Sequence, residues 1–289
     1  MAEKLLKLRF KLAIVQMFVE RTKELNHIKV KRLVREAAGN GARVVVLPEF
    51  FTCQCDPKPF REVMEPVPNG PTFKLLSEAA KENEVFLFGG SYPESSEKPD
   101  FFFNTSNIFN PRGELIGQHR KLHMYDVDLG PHLHITESDY IIPGNSLTVV
   151  ETDYCKIGVG ICFDIQFPEM ARIYRQRGCD LLIYMGAASM KTGPVHWKVL
   201  SQARAADNQV YVAAVGPATD VTSPYVPWGH SSVASPWGEI IASCESEEAI
   251  VYADVDFDYL KEVRGMLPLE SLRRKDLFET VDLTMGTSV

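Results

Sequence analysis

Short apolar runs recur along the chain and constrain its fold more strongly than any other feature of the sequence. Each run is rich in Val, Ile, Leu or Phe, and runs of this length and composition predict buried β-strands. Segments with helical periodicity separate several of the runs, and such alternation is typical of an α/β protein. The predicted strands are 12–17, 43–48, 85–91, 103–109, 147–151, 156–162, 181–185, 210–215, 231–235, 239–243 and 249–255. The predicted helices are 22–39, 72–83, 167–178 and 195–209.

The chain is predicted to form a single domain, 1–289, because no low-complexity linker, composition break or repeat of fixed period divides it. Residues 92–146 are richer in Pro, Asn, His and Gly than the rest. They are therefore predicted to form hairpins and loops, which often provide the walls of active sites. Gly39, Gly41 and Gly178 lie near the ends of predicted helices, where a left-handed cap residue is expected.

Charge and hydrophobicity favour a globular protein whose ligands are small molecules. Of the 289 residues, 45% are hydrophobic, which is enough for a substantial core, and the net charge is −7. Because no long basic run is present, we expect neither nucleic acid nor an anionic membrane as a partner. Charges interrupt the apolar residues of segment 1–11, so it does not read as a secretion signal, and Glu3 argues against a mitochondrial presequence. A cytoplasmic location is expected.

The cysteines and histidines do not form a pattern that predicts a metal site or another cofactor. Six cysteines in a chain without a secretion signal are expected to be reduced thiols, and the Cys53-Gln54-Cys55 pair lacks the two-residue spacer of most zinc and redox pairs. The histidine-rich segment does not match the spacing of an HExxH motif. Its members are His119, His123, His132 and His134. A metal-binding protein that uses this segment remains one alternative.

Three predicted strands are each followed at once by a chemically reactive side chain. Glu49 follows the run 43–48, Lys121 follows Gly117-Gln118-His119-Arg120, and Cys162 ends the run that begins at Lys156. Free cysteine is usually buried and inert, so Cys162 considered alone is more often a core residue than a catalyst. Open α/β sheets, however, bind their ligands at the carboxyl ends of strands. A helix that begins after Cys162 would also favour its thiolate form.

The three side chains together match the needs of amide hydrolysis through a thioester. That reaction requires a nucleophile, a base that takes up its proton and returns it to departing ammonia, and a cation or donors for the oxyanion. Cysteine, glutamate and lysine supply one of each. We therefore expect an enzyme, and its substrate is expected to be a small amide.

The motifs that carry these residues resemble those of the nitrilase superfamily of carbon-nitrogen hydrolases. Leu47-Pro48-Glu49, His119-Arg120-Lys121 and the Gly158 to Asp164 segment correspond to its LPE, HRK and GxGxC[FY]D signatures. The resemblance implies a four-layer α-β-β-α sandwich and a catalytic triad of Glu49, Lys121 and Cys162. It also implies at least a homodimer, in which the helices after the nucleophile, 167–178 and 195–209, lie between subunits.

The resemblance further implies roles for residues around the triad. Lys121 and the backbone N–H of Phe163 would hold the oxyanion, while Glu137 would lie near the lysine and help to position the substrate. Asp164 is interpreted as a capping residue of the turn after the nucleophile. Trp197, Trp228 and Trp237 are expected to pack rather than to stack on a ligand, with one of them lining the pocket at most.

Within the superfamily the sequence most resembles the omega-amidase branch, whose members hydrolyse the terminal amide of small dicarboxylic monoamides. The resemblance is carried by segments 192–197, 204–209 and 225–231. Three positions that we expect to affect substrate binding depart from the branch. Gln166 lies where an arginine is frequent, Cys55 where a tyrosine is frequent and Met185 where a proline is usual.

The position of Gln166 matters because a buried substrate carboxylate needs a compensating charge or donors. The sequence offers Lys191, Arg172 and Arg120 as cations that could replace the missing arginine. A deaminated-glutathione amidase or a carbamoylase with the same triad is the alternative within the superfamily. A non-catalytic interaction scaffold is an alternative of another class, although such a scaffold would not need all three triad residues.

Overall fold

The computed structural model describes residues 9–55, 57–130 and 134–285. Most of segment 1–11, on which the predicted location depends, and His132 therefore lie outside the described residues. The strands are β1 (Arg9–Gln16), β2 (Val44–Val46), β3 (Phe86–Phe88), β4 (Tyr92–Ser95), β5 (Phe102–Phe109), β6 (Leu115–Arg120), β7 (Asp126–Asp128), β8 (His134–Thr136), β9 (Thr148–Glu151), β10 (Lys156–Ile161), β11 (Cys179–Met185), β12 (Tyr211–Val215), β13 (Ser232–Ala234), β14 (Ile240–Ser243) and β15 (Ala249–Asp256). The helices are α1 (Lys23–Gly39), α2 (Pro57–Val63), α3 (Pro71–Asn83), α4 (Pro168–Gln176), α5 (Lys198–Asn208), α6 (Phe257–Met266) and α7 (Leu269–Leu272).

The strands form two mixed sheets and one short hairpin. The first sheet has the order β15-β1-β2-β3-β5-β4, with β6 also paired to β5. The second has the order β14-β13-β12-β11-β10-β9, and β7 pairs with β8. In the first sheet β1, β2 and β3 are parallel, and in the second β10, β11 and β12 are parallel.

The two sheets pack face to face, and helices cover both outer faces. Alternate residues of β1 show this arrangement: Leu12 and Ile14 point into the core between the sheets, whereas Ala13 and Val15 pack with the apolar side chains of α1 and α3. The outer face of the second sheet packs against α4 and α5. Because both faces of each sheet are buried, the central strands are continuous apolar runs. This is the predicted four-layer α-β-β-α sandwich.

The predicted strands and the four predicted helices are all present, with ends that differ by a few residues. Helices α2, α6 and α7 and strands β4, β7 and β8 were not predicted individually, although all three of these strands lie in the region predicted to form hairpins, and β6 is the strand predicted before Lys121. Gly41 and Gly178 have positive φ values of 88° and 86°, as expected after helices. The prediction for Gly39 was wrong: it is the last residue of α1, and Asn40 follows as the cap residue.

Candidate active site

The ends of β2, β6 and β10 bring Glu49, Lys121 and Cys162 together at one edge of the sandwich. Lys121 Nζ lies 3.7 Å from Glu49 Oε1, and both side chains are buried. The Cys162 thiol lies beside the Glu49 carboxylate, and each group shifts the pKa of the other. The structure thus places the three residues predicted from separate motifs in one contiguous cluster.

Glu49 is held by donors on both of its carboxylate oxygens. Asn104, in the middle of β5, donates from Nδ2 to Oε1 over 2.8 Å, and the backbone N–H of Ala187 donates to Oε2 over 2.6 Å. Burial raises the pKa of Glu49 above its usual value, while Lys121 and the hydrogen-bond donors oppose that rise. The carboxylate is therefore fixed in place, and its proton affinity is higher than that of a solvated glutamate.

Lys121 is a fully buried cation that is paired with two carboxylates. Its Nζ donates to both oxygens of Glu137, over 2.8 and 2.6 Å, and Glu137 also accepts a hydrogen bond from the backbone N–H of Tyr125. Burial alone would lower the pKa of Lys121, but Glu137 and Glu49 raise it well above its usual value. The lysine therefore stays charged, and Glu137 contacts it as the family resemblance implied.

Cys162 occupies a strained position directly after β10. Its φ is +49°, a left-handed conformation that is uncommon for residues other than glycine. The segment Cys162–Gln166 that follows is a short 3₁₀ helix. Gly186, at the end of β11, packs so closely that an added Cβ would lie 2.8 Å from the Cys162 Cα. Strain held in this way by surrounding structure is common at functional sites.

The expectation that the environment of Cys162 favours a thiolate was wrong. Burial raises the pKa of the thiol well above its usual value, and the nearby Glu49 carboxylate raises it further. The helix that follows is too short and irregular to reverse this effect. The resting site therefore holds a neutral thiol beside a base.

Asp164 organises the turn that follows Cys162. Its carboxylate accepts hydrogen bonds from the backbone N–H of Ile161, over 2.9 Å, and from the side chains of His119 and His123. These donors lower the pKa of Asp164 although it is buried. His119 is fully buried, and His123 stacks on Phe167. Among the described residues no group of three potential ligands suited to a metal ion is found.

Two cavities meet at Cys162. The larger has a volume of about 490 Å³, and the smaller, of about 30 Å³, lies beside it. Aromatic side chains and carboxylates line much of the larger cavity, whereas the smaller one has several polar groups and no carboxylate in the part of its wall that the structure describes. Both cavities share the lining residues Tyr125, Cys162, Ala187 and Tyr225.

The residues expected to affect substrate binding occupy different places around the cavities. Cys55 and Glu137 line the larger cavity, and Phe163 and Gln166 line the smaller one. Met185 is fully buried in the core between the sheets and lines neither cavity. Its sulfur accepts a hydrogen bond from the Ser106 hydroxyl, so its surroundings are those of a packing residue.

The cations proposed to replace the missing arginine are mostly engaged elsewhere. Arg120 forms an ion pair with Glu94, and Arg172 of α4 forms one with Glu270 of α7. Lys191 is exposed. No lysine or arginine is found among the described residues that line the two cavities.

The expectation that the tryptophans pack was correct for two of the three. Trp197 is buried, packs in the core around α4 and α5 and lines the smaller cavity. Trp228 stacks on His230. Trp237, in contrast, exposes 47% of its surface.

Asn104 and Tyr125 are site residues that were not identified from the sequence. Asn104 lies inside a strand rather than at its end, and Tyr125 lies in a loop after the lysine motif, so neither shares the pattern that marked the triad. The four consecutive polar residues 104–107 inside a predicted buried strand were the available signal for Asn104.

Comparison with known proteins agrees with the motif resemblance. Residues 11–265 match the family described as Carbon-nitrogen hydrolase. The chain is 48% identical to Omega-amidase NIT2 of Danio rerio, over 96% of this chain and 99% of that protein. It is 45% identical to Omega-amidase NIT2 of Homo sapiens, over 93% and 96% respectively. The crystal structure of Saccharomyces cerevisiae Nit3, a member of branch 10 of the nitrilase superfamily, superposes with a TM-score of 0.85 at 36% identity, covering 95% of this chain and 100% of that one.

Proposed function

Because the chain belongs to the carbon-nitrogen hydrolase family, the nitrilase superfamily, we propose that it is an amidase whose catalytic residues are Glu49, Lys121 and Cys162. One observation carries the proposal. The neutral thiol of Cys162 faces a cavity that a buried carboxylate, Glu49, also lines, and this carboxylate is itself next to a buried ammonium. This arrangement has the nucleophile, base and cation that thioester chemistry requires.

In the first half of the reaction, Glu49 takes the proton from the Cys162 thiol, and the sulfur attacks the amide carbon. Electrons of the C=O bond move to oxygen, and Lys121 with the backbone N–H of Phe163 stabilises that oxyanion. When the tetrahedral intermediate collapses, the C–N bond breaks. Glu49 delivers its proton to the departing nitrogen, so ammonia leaves and a thioester remains on Cys162.

In the second half of the reaction, the same carboxylate activates water. Glu49 takes a proton from water as the hydroxide oxygen attacks the thioester carbon. Collapse breaks the C–S bond, the proton returns from Glu49 to sulfur, and the acid product leaves. Glu137 keeps the Lys121 ammonium paired and positioned throughout the cycle.

The substrate in this proposal is a small dicarboxylic monoamide of the alpha-ketoglutaramate or alpha-ketosuccinamate type, hydrolysed at its terminal amide. The support is the identity of 45–48% to omega-amidases over nearly the full length of both chains. Comparing kcat/KM for alpha-ketoglutaramate and for neutral aliphatic amides tests this assignment. A lack of preference for the acid would rule it out and would leave a deaminated-glutathione amidase or a carbamoylase as the activities to screen.

Mass spectrometry of the acyl-enzyme tests the proposed nucleophile. We expect the acyl mass on the peptide that contains Cys162 and not on the peptide that contains Cys55, the other thiol of the larger cavity. Cys162→Ala should abolish both the adduct and the amidase activity. Near-normal activity of that variant would refute the scheme and would favour a scaffold role for the site.

The proposal includes a homodimer or larger homo-oligomer in the cytoplasm. The oligomer is supported by apolar surface around the start of α5, where Val195, just before the helix, and Val199, within it, expose 62% and 55% of their surfaces. Among the described helices none is long and apolar enough to span a membrane. Light scattering at micromolar concentration tests the assembly, and a monomer mass would refute it.

A further inference from the structure

Tyr125 carries a buried hydroxyl that has no hydrogen-bond partner within the described part of the chain. Only 9% of the residue is exposed. Buried tyrosine hydroxyls usually have a partner, because leaving one unsatisfied costs free energy. Tyr125 lines both cavities at the point where they meet beside Cys162. The missing partner of this hydroxyl is therefore expected to be a ligand.

The ring of Tyr125 is held firmly with respect to the proposed catalytic residues. Its backbone N–H donates to Glu137 Oε2 over 2.7 Å, and its ring packs edge-on against Phe163, with centroids 5.1 Å apart. Phe163 directly follows Cys162 in the chain. The hydroxyl is thus positioned by the same residues that position the nucleophile and Lys121.

The smaller cavity next to Tyr125 has the size and polarity to hold one small acceptor group. Its volume of about 30 Å³ exceeds the space that a single water molecule requires. Gln166, Thr192 and His196 supply polar groups to its wall, and Gln166 Nε2 lies 3.3 Å from His196 Nδ1. Since no lysine or arginine is found among the described residues of the wall, a carboxylate here would depend on hydrogen-bond donors.

We propose that the Tyr125 hydroxyl donates a hydrogen bond to the distal carboxylate of the substrate and thereby determines specificity for acidic amides. The inference rests on the proposed amidase function and names the group that recognises the acid end of its substrate. The distal carboxylate lies in the smaller cavity, with the amide nitrogen of Gln166 as a further donor. The reacting amide lies at Cys162, where the two cavities meet.

A pair of amides that differ only at the distal end tests the proposal. Glutaramate and pentanamide have the same number of carbons, but a carboxylate in the first replaces a methyl group in the second. Tyr125→Phe should lower kcat/KM for glutaramate about tenfold or more, because a donor to a charged group is lost, and should change kcat/KM for pentanamide less than about twofold. Tyr252→Phe removes a phenol hydroxyl that accepts a hydrogen bond from Asn40, away from both cavities, and serves as the matched control.

Equal losses for the two amides would overturn the proposal, because the hydroxyl would then act at the reacting amide or in packing. No loss for either amide would overturn it as well. Should the variant fail to fold, competitive inhibition of the wild-type enzyme decides: glutarate should bind at least about tenfold more tightly than pentanoate, and equal binding overturns the proposal. A wild-type enzyme that hydrolyses glutaramate no better than pentanamide refutes the omega-amidase assignment itself. The proposal for Tyr125 is judged from a different quantity, the ratio of kcat/KM for glutaramate to that for pentanamide in Tyr125→Phe relative to the wild type.

Discussion

Asn104 provides the sharpest test of Glu49 as the catalytic base. Its side-chain nitrogen donates to Glu49 Oε1 over 2.8 Å, while its own Oδ1 has no hydrogen-bond partner among the described residues. Asn104→Ala therefore removes one hydrogen bond to a buried carboxylate. The backbone carbonyl of residue 104, which accepts from the Lys121 N–H, is unaffected.

The size of the expected pKa shift follows from the charge of the acceptor, the Glu49 carboxylate. A hydrogen bond to a charged group contributes about 1.5–3 kcal/mol, and about 1.4 kcal/mol corresponds to one pH unit. The donor favours the ionised form of Glu49, so its loss raises a pKa that burial has already raised. Because the base must be ionised to accept the thiol proton, the acidic limb of the kcat/KM profile should move upward by about one to two pH units.

The assay is the pH dependence of kcat/KM for the wild type, Asn104→Ala and a matched control. Asn107→Ala is suitable because Asn107 is also buried on β5, but its side chain donates to the Tyr92 hydroxyl rather than to Glu49. The acidic limb of the control should coincide with that of the wild type. If the acidic limb of the kcat/KM profile does not move in Asn104→Ala, or moves equally in both variants, then Glu49 is not the group whose ionisation produces that limb.

Three further predictions concern charged groups around the site. Glu137→Gln removes a carboxylate that raises the pKa of Lys121. The basic limb of the pH profile of kcat should therefore move to lower pH, and the maximal kcat should fall about tenfold or more. Asp164→Asn removes the buried charge that accepts hydrogen bonds from His119 and His123 and should lower the free energy of unfolding by about 2–4 kcal/mol in urea titrations; a change below about 0.5 kcal/mol would contradict this role. Arg172→Ala should leave kcat/KM for glutaramate within about twofold of the wild type, because Arg172 is paired with Glu270, and a large loss would return it to the list of carboxylate ligands.

The positions of the strands and of the reactive residues could be predicted from the sequence because both are local. A run such as 156–161 needs only its own apolar side chains to indicate a buried strand, and the residue that follows it must lie at the sheet edge. The motifs around Glu49, Lys121 and Cys162 then identified the superfamily. Strands β7 and β8 were harder to predict because each has only three residues and none of them is buried.

The environment of the site could not be predicted in the same way. The prediction of a thiolate at Cys162 was wrong because the pKa of the thiol depends on burial and on Glu49, which lies 113 positions earlier in the sequence. Met185 was expected near the substrate because it departs from the family pattern, yet it packs between the sheets. Arg120 and Arg172 were plausible carboxylate ligands until their pairing with Glu94 and Glu270 was known.

By itself, the sequence determined the α/β class, the approximate positions of the strands and the three reactive side chains, because periodicity and motifs are properties of neighbouring residues. Only the tertiary structure decided which charges face one another, since two sheets must pack before Glu49 meets Cys162. It also decided that Tyr125 places an unpaired hydroxyl between two cavities. Proton affinity and ligand recognition depend on burial and on partners distant in sequence, and the packing of the sandwich creates both.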